Sequence, residues 1–79
     1  MIKNRGIAKQ ISELMIDYSG KLNDSIILVK EKCDKEEFER YRDAVSYIMA
    51  DMSTRVMYPV YLEHPELKPD GFYMPGSNK

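Results

Sequence analysis

Asp34 to Leu62 reads DKEEFERYRDAVSYIMADMSTRVMYPVYL, and the fold turns on whether this stretch is one helix. Asp34 is placed to accept from backbone N–H groups as an N-cap, with Glu37 three residues on to reach back. Phe38, Tyr41, Val45, Ile48, Met49, Met52 and Val56 then recur at steps of three and four, so they share one face of a 3.6-residue period. Pro59 lacks the N–H that a continuing helix would use, and it biases Tyr58 away from helical geometry. A stop or kink is expected there.

One apolar stripe needs a partner, and the preceding third of the chain supplies one. Ile7, Ile11, Leu14, Met15, Tyr18, Leu22, Ile26 and Val29 also step by three and four. Gly20 interrupts this pattern at a cost of about 1 kcal/mol against alanine. The residues on either side of it, Tyr18 and Leu22, stay in phase, which predicts one continuous helix. Only Glu31, Lys32 and Cys33 separate the two patterns, and so short a connection makes the helices antiparallel. The expected architecture is all-α: an antiparallel helical hairpin over about 5–31 and 34–60, followed by a proline-rich tail.

Each arm of about 25 residues would run roughly 37 Å. A lone hairpin buries only a narrow seam between its arms. A second copy packed about a two-fold axis would turn the flanking apolar residues into the core of a four-helix bundle. Size points the same way, because at 79 residues a single core only narrowly offsets chain entropy.

Composition narrows the partners. Hydrophobic residues make up 43% of the chain and charged residues 32%, too apolar for disorder and too charged for a membrane protein. A net charge of −1 leaves no excess field for nucleic acid or an anionic membrane. Cys33 is the single cysteine, so no intrachain disulfide can form, and a reducing cytoplasm is the expected setting. Met1 to Arg5 is not followed by the apolar run of a signal peptide, and the longest aliphatic run, Ile26 to Val29, is far short of a span.

The last quarter changes character, with Pro59, Pro65, Pro69 and Pro75. The chain divides into a helical hairpin over 1–62 and a non-helical tail over 63–79 that packs back on it. Pro65 suits the first position of a short turn through Glu66 and Leu67, with His64 before it. Lys68, Pro69, Asp70 and Gly71 spell a β-turn. Phe72, Tyr73 and Met74 form an apolar cluster aimed at the bundle, and Pro75 to Lys79 is expected to fray.

The search for chemistry finds little. His64 with Glu63 and Glu66 offers one imidazole, and Cys33 one thiol far away in sequence; a transition-metal site needs three or four ligands. A Cys33–His64 nucleophile pair lacks a third orienting group, and Gly6, Gly20, Gly71 and Gly76 form no phosphate loop. No catalytic residue, metal or cofactor is assigned. Met15, Met49, Met52 and Met57 fall at helical spacing and suit a core, or an adaptable binding groove.

Surplus apolar groups remain off the stripes. Ile16 and Ile27 point away from the seam of the first helix, and Tyr47 and Tyr58 turn outward among Arg40, Asp51 and Arg55. Tyrosine with arginine is a composition favoured at protein interfaces. Arg40, Tyr47, Arg55, Tyr58, Phe72 and Tyr73 are therefore the candidate partner-binding residues of a homodimeric, non-enzymatic binding or regulatory module that engages a second protein. The alternative is a small-ligand site or weak enzyme at the dimer interface, built from His64, Tyr41, Tyr58, Tyr61 and the methionines. A third reading covers the stripes with a different protein.

Overall fold

The computed structural model describes residues 1–72 and residue 74, and among these every regular element is helical. Helix α1 runs Arg5–Lys32 and helix α2 runs Lys35–Asp51; a π-helical turn follows over Met52–Met57, then α3 over Tyr58–Glu63 and a 3₁₀ turn over Pro65–Leu67. The two long arms lie against each other as a hairpin, and the molecule measures 44 × 25 × 19 Å. The expectations placed on Tyr73 and on Pro75 to Lys79 lie outside the described residues.

Both arms begin on a side-chain cap. Asp34 Oδ1 accepts the Glu37 N–H at 2.8 Å, as its position in the sequence implies, and Asn4 Oδ1 does the same for the Ile7 N–H at 3.0 Å. Helix α1 passes through Gly20 without a break, and a Cβ built there meets nothing within 4 Å.

The second arm does not stop at Pro59. Its backbone widens instead, and the Tyr58 N–H reaches back five residues to the Ser53 carbonyl. In an α-helix the proline ring collides with the carbonyl four residues earlier. The wider turn moves that carbonyl away, so α3 continues past Pro59 to Glu63.

Beyond α3, the 3₁₀ turn falls where Pro65 predicts it. The reversal after it is shifted by one residue: the Phe72 N–H donates to the Pro69 carbonyl at 3.2 Å, placing Gly71 at the third position of the turn with φ +85°. That conformation suits glycine, because an L side chain would clash there.

The seam between the arms differs from the expected stripe on α1. Ile7, Leu14 and Tyr18 are exposed, and the buried or half-buried residues of α1 are Ala8, Ile11, Ser12, Met15, Ser19, Leu22, Ser25, Ile26 and Val29. Ala8, Ser12, Met15, Ser19, Leu22, Ile26 and Val29 among them alternate by four and three, the spacing of a helix seam packed at a shallow angle, with Ile11 and Ser25 at its edge. Small residues stand at 8, 12 and 19 on this inner face, and the bulkier Ile7, Leu14 and Tyr18 lie on its flank. On α2 Ile48 is likewise outside the seam, whereas Val45 is buried within it.

The deepest packing lies at the open end of the hairpin. Ala8, Met57, Val60, Tyr61 and Met74 form a buried cluster with Ile2, Met15, Tyr58, Leu67 and Phe72 around it. Phe72 meets Tyr61 edge to face at a centroid distance of 5.1 Å. Phe72 and Met74 are thus part of this packing.

Candidate interaction surface

Two features of the surface remain once the core is accounted for: an apolar row on one face of the hairpin and a groove on the other. The row follows from a single contact. Ser25 Oγ donates to the Leu22 carbonyl at 2.6 Å, so its lone pair accepts from the Tyr41 hydroxyl at 2.8 Å. This pair fixes which flank of α1 adjoins which flank of α2. One heptad farther from the loop, on the same lines, stand Tyr18 and Ile48, which places them side by side at the same level.

Ile7 and Leu14 continue the row along α1. Ile7, Leu14, Tyr18 and Ile48 are 46%, 42%, 48% and 51% exposed, each half in water. Leu28, on the same line as Ile7 and Leu14, is 56% exposed. Scattered exposed side chains need no explanation, whereas these recur along one flank of the hairpin.

On the opposite flank, a groove of about 400 Å³ lies between α1 and the π-helical turn, bounded by Ile16 and Ser19, by Met49, Ser53 and Met57, and by the Pro69–Phe72 reversal. The walls are apolar, and Ile16, read as a surplus apolar group on the outer side of α1, is part of them. The widened backbone at Met52–Met57 shapes this groove as well as accommodating Pro59.

The predicted contact residues are not brought together. Tyr47 is 76% exposed on the outer face of α2, and Arg40 and Arg55 lie exposed near it, each paired to a carboxylate one turn earlier: Arg40 to Glu36 at 2.9 Å and Arg55 to Asp51 at 3.2 Å. Tyr58 and Phe72 instead pack against the buried cluster. Tyr73 is outside the described residues.

His64 is largely enclosed, and its ring faces the N-terminal segment. Because a carbonyl only accepts, the Nε2–H donates to the Ile2 oxygen at 2.7 Å, while Nδ1 stands 3.8 Å from Glu66. Arg5 donates to the same Glu66 carboxylate at 2.8 Å, so residues 2 to 5 are stitched to the turn after α3. The backbone N–H of Glu66 and the Arg5 guanidinium hold that carboxyl below its usual range. His64 does not line the groove. The other hydroxyls proposed around it are occupied too, Tyr61 by a buried hydrogen bond with Ser12 and Tyr41 by Ser25. Among the described residues no three ligating side chains converge, and no helix is long and apolar enough to cross a membrane.

Sequence reasoning missed the small residues Ala8, Ser12 and Ser19. A signal for them was present in the four-three alternation, which hydrophobicity alone passes over. No family model matches the chain, and neither a curated protein nor a solved structure is significantly similar to it.

Proposed function

We propose that the chain works by association with other proteins, as a non-enzymatic homodimeric module in which two hairpins complete a four-helix bundle. One observation carries this reading: the row of half-exposed Leu14, Tyr18 and Ile48 beside a seam that is already filled. A helix that meets one partner needs one apolar row, and a helix in a bundle of four needs a second row next to it. Helix α1 has both, Ala8 to Val29 inside and Ile7 to Leu28 outside. The groove and the exposed Tyr47 face remain available in such a dimer for a second protein.

Light scattering across a wide dilution range tests this. The wild-type chain is expected to hold the mass of a dimer at micromolar concentration. Leu14→Glu combined with Ile48→Glu should give a monomer that keeps most of its helicity, because neither side chain lies in the hairpin seam. A wild-type chain that is monomeric and fully folded at every concentration would sink the proposal.

A further inference from the structure

The exposed row on α1 carries information about how the second copy sits. Ile7, Leu14, Lys21 and Leu28 are spaced by seven, with Tyr18 beside the middle of the set. Apolar groups stand at both ends, and the midpoint of the row lies close to the midpoint of the 28-residue helix. Reversed on itself, such a row sets its two apolar ends against each other. We infer that the dimer is antiparallel, with α1 of one protomer on α1 of its partner and the two loops at opposite ends, an inference that rests on the homodimer proposed above.

Reversal about Tyr18 places Ile7 of each protomer against Leu28 of the other and Leu14 against Lys21, with the two Tyr18 rings near the axis. Lys21 is compatible with that place. Its ammonium pairs with Asp17 at 3.3 Å and stands over the Tyr18 ring at 5.7 Å from the centroid, which leaves the methylenes to cover Leu14. On α2, Ile48 meets Ile48 across the same axis.

The alternative, with both loops at one end, stacks α1 on the partner's α2. Leu28 would then face the acidic start of α2, where Glu36 and Glu37 lie in the first turn. The apolar residue at the loop end would lose its partner and gain a charge.

The area agrees with a stable contact. Five side chains, each about half exposed and offering about 100 Å², supply roughly 500 Å² of apolar surface per protomer. A typical interface buries about 800 Å² on each side, and homodimer interfaces are about 65% apolar. The row therefore suffices for the apolar part of one interface. The groove and its bounding Pro69–Phe72 reversal are on the other flank, so an antiparallel dimer presents two copies of the groove on its outer faces.

Cys33 is exposed in the loop and gives a native position for a spin label. It lies 15 residues beyond Tyr18, about 22 Å along the axis, so two labels in the antiparallel dimer should be about 45 Å apart. Pulsed dipolar spectroscopy of the labelled full chain reads this directly. A distance near 45 Å upholds the inference, and one under about 20 Å overturns it while leaving the dimer intact. A sample with no intermolecular dipolar signal and a monomer mass overturns the dimer itself. As a second measurement in a Cys33→Ser background, chains carrying Ile7→Cys are mixed with chains carrying Leu28→Cys and treated with a short bismaleimide. Covalent dimers should form in the mixture and be at least tenfold scarcer in either variant alone. Equal yields in all three would overturn the antiparallel register.

Discussion

The open end of the hairpin and its loop end are built from the same two helices, yet they are held differently. At the open end α1 is covered by α3 and by the returning chain, and five apolar side chains are buried together with the Ser12–Tyr61 hydrogen bond among them. At the loop end α1 is covered by α2 alone, and Val45 is the buried residue of α2. Phe38 there sits between Lys30 and Arg42, 6.0 and 5.4 Å from its ring centroid, and Ser25 meets Tyr41 in a partly exposed hydrogen bond. Three layers bury a cluster, and two helices side by side bury a single seam. The difference teaches that a hairpin of this length is closed by its third element at one end and stays two helices thick along the rest.

The comparison predicts unequal costs for core truncation. Tyr61 is 1% exposed, and Tyr61→Ala should cost about 3–5 kcal/mol, since it opens a cavity and leaves the buried Ser12 hydroxyl unpaired. A chain of this size has only about 4–12 kcal/mol in total, so the variant should be largely unfolded by circular dichroism. Val45→Ala should cost about 1–2 kcal/mol, because it removes only two methyl groups from a narrow seam. Denaturant titration of both variants decides the matter. Equal losses would break the distinction between the two ends.

Midway between them, Gly20 provides a smaller and opposite effect. Nothing lies within 4 Å of a Cβ added there, and α1 is continuous through the position. Gly20→Ala should stabilise the chain by about 1 kcal/mol through helix propensity and the reduced entropy of the unfolded state. That corresponds to a rise of about 4–8 °C in Tm for a domain of this size. No rise would mean that this turn is not helical in solution, and the two ends would then be separate units joined by a hinge.

Much of this architecture was legible because it rests on local chemistry. Asp34 capping α2, the continuity of α1 across Gly20 and the short turn at Pro65 each depend on a few neighbouring residues. The outcome at Pro59 was not legible, since a proline that ends an α-helix is tolerated once the preceding turn widens, and nothing in the residue types announces that widening. The inner face of α1 was misread by about one flank. Ile7, Leu14 and Tyr18 outweigh Ala8, Ser12 and Ser19 in hydrophobicity, although the smaller residues stand on the inner face. The same misreading exposes the second row, because two adjacent stripes are present and hydrophobic periodicity merges them. Of the candidate contact residues, Tyr47, Arg40 and Arg55 stay on the surface, while Tyr58 and Phe72 were diverted to the cluster by the returning chain, a long-range event that periodicity does not encode.

The smallest expected effect concerns the polar stitching that exists only at the open end. Glu66 accepts from Arg5 and stands near His64, and its own backbone N–H is the main reason its carboxyl titrates below the usual range of about 4.5, with the Arg5 hydrogen bond next. A carboxyl depressed on folding contributes stability above its unfolded pKa and loses it as the pH falls through the folded value. Wild type should therefore be slightly more stable than Glu66→Gln at pH 7, by an amount kept small because Glu66 and Arg5 are both about half exposed. The gap should stay constant down to about pH 4.5 and close below it as Glu66 becomes neutral in both states. Thermal melts of the two proteins from pH 7 to pH 3 measure this with other titrating groups cancelled in the difference. A gap that persists unchanged at pH 3 would show that the glutamine disturbs packing at the 3₁₀ turn. The open end would then owe nothing to the charge of Glu66, and its advantage over the loop end would rest on apolar burial alone.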